Sequence, residues 1–417
     1  MGETSDARRT LPAVDEVLRE PEVQALMATA PRPLVVEAVR HALAEARVDE
    51  GRAAAWAEEG AERVAAFLAT RTRMALRQVL NVTGVVLHTG LGRAPMAAAA
   101  VDAMAAVSGY GLVEVDAATG ERGKRDAVCG ELLAHLSGAE TGLVTNNNAA
   151  AVLLAVNTFA RGKEVLVSRG ELVEIGGSFR IPELMERAGA TLVEVGTTNR
   201  TRLADFEKAM SPKTGLILKV HPSNFRLEGF TEEAPAEVLS ALGQAHGIPV
   251  AWDLGSGCFD DYGIEALADE PQVGAAVASG MDVVTFSGDK CLGGPQAGLV
   301  VGMDEPVRAM AANPLMRAVR CDKTQLAGLE ATLRLHLGGA DVAAAAVPAL
   351  EMLLRPAEDV RRDAEAIAER ATLAGCQAEV VDAEARVGSG SAPECVVPSM
   401  AARIMPPDAD APALAAR

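Results

Sequence analysis

From Leu11 to about residue 70 the apolar positions recur every three or four residues, as in "VDEVLREPEVQALM" and "RPLVVEAVRHALAEARVDE", with prolines and "TAPRP" as breaks. That spacing predicts a run of helices. From Asn81 the texture changes to short apolar runs that alternate with helical stretches. "TGLVT" precedes "NNAAAVLLAVNTFA", "KEVLVS" precedes "IPELMERAG", and "TLVEVG" precedes "LADFEKAM". "GLILKV" and "IPVAWDLG" continue the series, and "MDVVTFSG" and "AGLVVGM" close it. Near-continuous Val/Ile/Leu strands between helices predict an α/β fold, a mostly parallel sheet covered by helices on both faces. After about Gln325 the pattern is helical and then strand-like ("AEVVDAEARVG", "AARIM"), which predicts a small α+β domain. The expected organisation is a helical N-terminal module over residues 1–75, a large domain over 76–325 and a small C-terminal domain over 326–417. Open parallel sheets bind ligands at the carboxyl ends of their strands, so the residues just after each strand are the ones to inspect.

Composition narrows the function without naming it. The 417 residues carry a formal charge of −18, which argues against indiscriminate binding of DNA or of an anionic membrane. Up to Leu80, however, 11 arginines face 13 acidic residues, so this segment is near neutral and the rest carries −16. No charged-then-apolar leader and no membrane span are read, and a cytoplasmic location is expected. The six cysteines show no CxxC or His/Cys ligand spacing, so neither a disulfide framework nor a metal site is expected. Cys291 reads either as a reactive thiol or as an inert buried one.

Chemistry enters with lysine. Only seven occur, and Lys290 stands in "SGDKCLGGPQAG", directly after the strand-like "MDVVTF". A lysine enclosed at a strand end loses solvation, its pKa falls, and neutral amine becomes available to an aldehyde. A buried ion pair with Asp289 is the competing reading. Three further features favour the first. Asp253, ending "VAWDLG", suits a protonated pyridine nitrogen. Asn146 and Asn147 in "TNNNAAAV" lead from strand to helix, where free N–H groups suit a phosphate monoester. Ser287 lies three residues before Lys290, and Gly288 permits close backbone approach. Phosphate cradle, carboxylate and lysine, in that order, are the parts of a pyridoxal 5′-phosphate site. No GxxxxGK[ST], post-strand GxGxxG or HExxH competes.

The same residues carry a family resemblance. The strings "NVTGVVLHTGLGRAP", "VTNNNAAAVLL", "VSRGELVEIGGSFRIPELM", "VGTTNRT", "KVHPSNF", "DLGSG", "FSGDKCLGGPQAGLVVG" and "LEATLRL" resemble bacterial selenocysteine synthases (L-seryl-tRNA(Sec) selenium transferases). These are pyridoxal-phosphate transferases of fold type I. The resemblance runs from about Leu11 to about Met400. It implies that Lys290 holds the cofactor, that Asp253 faces its ring nitrogen, and that Asn146, Asn147 and Ser287 surround its phosphate. It places His221 and Asn224 near the ring, and makes Asp289 a tuner or proton relay for Lys290. Arg93, Arg317 and Arg320 match positions that bind the selenium donor, selenophosphate; arginine forks suit a tetrahedral oxyanion. The spacing of Arg317 and Arg320 predicts that they share one helical face. The turn "ERGKRD" (Arg122, Lys124, Arg125) reads as site lining across a subunit boundary or as a solvated loop. The implied reaction is β-elimination of the seryl hydroxyl from seryl-tRNA(Sec), followed by addition of selenium. The implied assembly is a ring of dimers, with the N-terminal helices gripping tRNA.

Two rivals differ in class. One is a pyridoxal-phosphate lyase of the same family, acting on a small amino acid or amino sugar phosphate without tRNA. The other is an inactive chain that binds tRNA or forms oligomers, suggested because the family continues through more strand and helix after "AARIM". The C-terminal domain is accordingly expected to be shortened.

Overall fold

The computed structural model describes residues 10–175 and 179–407, so Gly176–Ser178 of the "VEIGGSF" stretch and the end of "PPDADAPALAAR" lie outside the described residues. The chain divides into two compact units, Met1–Leu80 and Asn81–Arg417.

In the first unit the helix Arg32–Val48 buries Val35, Ala38, Val39, Ala42, Leu43 and Ala46, the stripe that its three-and-four spacing dictates. It packs on the helix Trp56–Thr72, which contributes Trp56, Val64 and Leu68 to a common core with Val17 and Val23. Asp49 stops one helix and starts the next, its Oδ1 accepting from the Arg52 amide at 3.1 Å. The unit thus has its own apolar interior.

Among the described residues the second unit is built on eleven strands. They are β1 (Thr141–Thr145), β2 (Glu164–Ser168), β3 (Glu174–Ile175), β4 (Phe179–Arg180), β5 (Thr191–Val195) and β6 (Thr214–Val220), then β7 (Val250–Gly255), β8 (Val283–Ser287), β9 (Gly298–Gly302), β10 (Gln377–Gly388) and β11 (Ser391–Met405). Seven form one sheet in the order β1-β9-β8-β7-β6-β2-β5, parallel except where β9 runs antiparallel to both neighbours. Every residue of β6 is buried, and its side chains alternate: Ile217 joins one apolar cluster, Leu216, Leu218 and Val220 the other. Helices cover both clusters, which is why the strands read as unbroken apolar runs. Each such Leu or Ile contributes about 1.5–3 kcal/mol of burial.

Lys219 is the exception on β6. Its Nζ lies 3.1 Å from Glu171 and 3.2 Å from Glu233, and 5.6 Å from the centre of the Trp252 ring. Burial alone would lower its pKa, but the two carboxylates outweigh burial and hold it above the ordinary lysine value. Glu171 also accepts from the Val220 amide at 3.0 Å, pinning the segment after β2 to the end of β6. Lys219→Met strands the Glu171 carboxylate in the interior, and removing one partner of a buried pair costs about 3–5 kcal/mol. Thermal denaturation should show a Tm several degrees lower in that variant.

The C-terminal part sets helices, among them Lys323–Leu337 and Ala357–Leu373, beside the long β10–β11 hairpin. The hairpin turn, with Ser389 and Gly390 both at positive φ, is the two-residue form that matches strand twist. Residues 84–87 run along β10, Arg386 donating to the Gly84 carbonyl at 2.8 Å and Leu87 to Val387 at 2.7 Å. The beginning of this unit is therefore stitched to its end. Among the described residues no helix is long and apolar enough to cross a membrane, and no cluster of His, Cys, Asp and Glu is placed to hold a metal ion.

Candidate active site

Asp253 and Lys290 stand at the carboxyl ends of the adjacent strands β7 and β8, each almost wholly buried. Asp253 Oδ1 accepts three hydrogen bonds: Asn148 Nδ2 at 2.8 Å, the Gly255 amide at 3.0 Å and Thr285 Oγ1 at 3.3 Å. Its Oδ2 takes none from the described residues. The carboxylate is thus locked in orientation with one oxygen uncommitted. Burial pushes the Asp253 pKa up, while Asn148, the Gly255 amide and Lys290 pull it back. Lys290 Nζ has no hydrogen bond or ion pair among the described residues. Its pKa is lowered by burial first and by Arg93 second, against the opposing pull of Asp253 and Asp289.

The expected competitor, an ion pair between Lys290 and Asp289, is not formed. Asp289 instead takes Arg93 Nη1 at 2.6 Å. Arg93 reaches it from a left-handed backbone (φ 64°), an uncommon conformation for a side chain of this size that follows the helical turn Thr89–Leu91. The Ala94 amide donates to the Asp289 carbonyl at 3.3 Å, so both backbone and side chain fasten this segment beside the lysine. Cys291 is buried.

The asparagines divide their tasks. Asn147 Oδ1 accepts from the Ala150 amide at 2.9 Å, making its side chain the cap of the helix Asn148–Ala160. Asn147 Nδ2 donates to Asn146 Oδ1 at 3.1 Å. Of the two expected phosphate side chains, Asn147 is therefore a cap, and what remains for an anion is the helix's first-turn N–H groups. Gly298 shapes this corner, because a Cβ there would meet the Asn147 carbonyl oxygen at 2.1 Å. Ser287, at the end of β8, is buried on the same edge. His221 follows β6, its amide donating to the Asp253 carbonyl at 2.8 Å. Asn224 Nδ2 donates to the Glu174 carbonyl at 2.7 Å.

The three arginines are not brought together within the chain. Arg93 belongs to Asp289. Arg317 and Arg320 line a separate cleft of about 380 Å³ with Arg125 and Glu114. Their expected common helical face is also corrected: the helix Met316–Val319 ends before Arg320, which is extended and bridges to Thr145. A four-residue helix is too short to carry a face. Glu114 gathers Arg122 and Arg125, each at 2.9 Å, so two of the three cations of the "ERGKRD" turn are paired.

Sequence reasoning missed four side chains. Among the described residues, seven buried side-chain atoms have no hydrogen-bond partner: His88 Nδ1, Arg93 Nε, Asn148 Oδ1, Ser223 Oγ, Asn224 Oδ1, Trp252 Nε1 and Ser391 Oγ. Several of them lie on segments fastened to Asp253 or Asp289, and buried polar atoms left unpaired are rare enough to demand a reason. Asn148 and Ser223 stand next to residues singled out earlier and His88 lies five residues before Arg93, but nothing in their spacing separates a site residue from a turn residue. The fourth, His336, works from behind. Leu292 O can only accept, so His336 Nε2 donates to it at 3.0 Å and Nδ1 accepts from Tyr262 Oη at 3.1 Å. This neutral imidazole holds the backbone two residues beyond Lys290.

Burial lowers the His336 pKa. Its contribution to stability is therefore complete above the unfolded value and fades as pH falls through the folded one. Between about pH 7.5 and pH 5.5, which brackets the ordinary histidine value, the Tm of the wild type should drop more steeply than that of His336→Gln. Thermal melts of both proteins across that range check the sign.

The donor set fits pyridoxal phosphate: a neutral-prone amine, a carboxylate with one free oxygen, helix N–H groups for a phosphate, and orphaned polar atoms around them. The comparisons agree. Residues 79–417 match the family described as L-seryl-tRNA selenium transferase, and residues 8–47 match selenocysteine synthase N terminal. The L-seryl-tRNA(Sec) selenium transferase of Carboxydothermus hydrogenoformans is 46% identical over 407 residues, covering 95% of this chain and 86% of that one. That of Nitratidesulfovibrio vulgaris is 47% identical over 423 residues, covering 98% and 90%. A D-glucosaminate-6-phosphate ammonia-lyase structure matches with a TM-score of 0.56 at 20% identity, over 83% of each chain, and shows the shared fold. With residues 79–417 matching the family and 95% and 98% of its length aligned to these two relatives, the chain belongs to the L-seryl-tRNA(Sec) selenium transferase family.

Proposed function

We propose that this chain converts seryl-tRNA(Sec) to selenocysteinyl-tRNA(Sec), with selenophosphate as selenium donor and pyridoxal phosphate as cofactor. The observation that carries the reading is the uncommitted, desolvated amine of Lys290 beside the single free oxygen of Asp253. When bound, pyridoxal phosphate withdraws electrons from the α-carbon of the amino acid attached to it. Lys290, spared from ion pairing by Arg93, holds the cofactor in the resting enzyme. It then takes the α-proton at Nζ and can return it toward the departing hydroxyl. Asp253, fixed by Asn148, Gly255 and Thr285, keeps a negative charge against the ring nitrogen. The N–H groups at the start of the helix Asn148–Ala160, with Asn146 and Ser287, hold the phosphate. His221 and Asn224 border the ring.

Selenophosphate is assigned to the arginines. Arg317 and Arg320 form one cationic group and Arg93 another, so a donor held by all three needs a second copy of the chain to complete the site. Tyr110, Leu112 and Val115, all exposed, flank Glu114 near the first group and supply apolar surface for such a homo-oligomer. The first unit is assigned to tRNA. A gel shift should show binding of tRNA(Sec) weakened at least about tenfold, or 1.4 kcal/mol, when residues 1–80 are removed. Product formation decides the whole reading: purified protein loaded with cofactor should yield selenocysteinyl-tRNA only when both seryl-tRNA(Sec) and selenophosphate are supplied. Ammonia release from free amino acids without tRNA would overturn it.

A further inference from the structure

A cavity of about 480 Å³ opens at the carboxyl ends of β2, β5 and β6, next to the Asp253 corner but not part of it. His221 and Glu270 form the shared wall. That wall is fixed: the His221 amide donates to the Asp253 carbonyl at 2.8 Å, Ser256 Oγ donates to Glu270 at 2.5 Å, and His221 Nε2 lies 3.9 Å from the same carboxylate. The cavity thus lies directly beside the strand end that carries Asp253. The lining also includes Arg200 and Arg226, both exposed, and the Phe225 ring. Arg226 has only a 3.9 Å contact to Asp269, and Arg200 donates by Nε to the Phe230 carbonyl at 3.3 Å. Both guanidinium planes remain available for stacking.

The charge balance says what fits. Five carboxylates line the cavity, answered by Arg200 and Arg226 and by Lys219 and Arg202 just behind. There is no surplus of cations to bind a phosphate or a free carboxylate. Carboxylates suit hydroxyl and amine donors, whereas an aromatic ring and guanidinium planes suit a flat base. The volume is within the range, about 300–1,000 Å³, that holds a compact organic ligand. We propose that this cavity receives the 3′-terminal nucleoside of the aminoacyl-tRNA, its ribose toward Glu270 and its base between Phe225 and the arginines. The inference rests on the functional reading above, and it names the part of the substrate that reaches the reacting centre. The terminal nucleoside, not the amino acid alone, then supplies the affinity that places the serine ester against Lys290.

The test uses the full-length, cofactor-loaded protein and two probes, serinamide and a stable 3′-serylamido-3′-deoxyadenosine, each titrated by the change in cofactor absorbance. The nucleoside probe should bind at least tenfold more tightly than serinamide. Arg226→Ala and Arg200→Ala, both on exposed side chains, should each reduce that advantage several-fold and leave serinamide unchanged. With seryl-tRNA(Sec) the same variants should raise KM and leave kcat intact. Equal binding of the two probes, or an advantage untouched in both variants, overturns the nucleoside site while leaving the functional reading standing. A loaded protein whose absorbance responds to neither probe overturns the functional reading and this inference together.

Discussion

Lys290→Ala should lower selenocysteinyl-tRNA formation by at least about 10²–10⁴-fold, the usual worth of a positioned proton-transfer group, before the loss of its hold on the cofactor is counted. The side chain is buried but makes no ion pair or hydrogen bond among the described residues, so its removal leaves no stranded partner. The variant should therefore fold, and a Tm near the wild-type value would separate lost chemistry from lost structure. Borohydride reduction of the wild type followed by peptide mass spectrometry should place the cofactor on Lys290. A variant that keeps wild-type turnover would remove the foundation of the proposed mechanism. Arg93→Ala gives the complementary result: Asp289, released at 2.6 Å from its partner, becomes free to pair with Lys290. The pH at which the amine loses its proton should then move upward, because an anion is added and a cation removed.

Asp253→Asn should cost about 10²–10³-fold in the same assay, the usual worth, about 2.7–4 kcal/mol, of one preorganised electrostatic group facing the charge that develops in the reaction. The amide retains the shape and can keep the bonds from Asn148 and Thr285, but it cannot hold a negative charge against a ring nitrogen. The effect should appear in kcat, with the cofactor still bound through its phosphate. Asn148→Ala should act in the same direction and less strongly, because it removes only one of three hydrogen bonds to Oδ1. Rescue by Asn148→Gln would be partial at most, the longer side chain placing its amide one methylene further along. Steady-state kinetics on the pair of variants tests whether Asn148 works through Asp253: the double variant should be no worse than Asp253→Asn alone.

Much of this was legible in the chain itself. The alternation of apolar runs and helical stretches determined a parallel sheet, because strands buried on both faces cannot afford polar positions. That Lys290 and Asp253 sit at strand ends was readable for a local reason: each closes or shortly follows an apolar run. The division between a helical module and an α/β body followed from a change of period near Asn81. What the tertiary structure alone decided was pairing. "TNNNAAAV" offers three asparagines, and only folding shows that Asn147 caps its helix whereas Asn148 reaches 105 residues along the chain to Asp253. Asp289 follows directly before Lys290, yet it bonds Arg93 from 196 residues away. Arg317 and Arg320 are three apart, yet the helix stops between them. Periodicity along a chain records which face a residue shows to the core, since burial depends on local geometry. Hydrogen bonds and ion pairs depend on which chain ends meet across the sheet, and that is set by topology, which no spacing within one segment encodes.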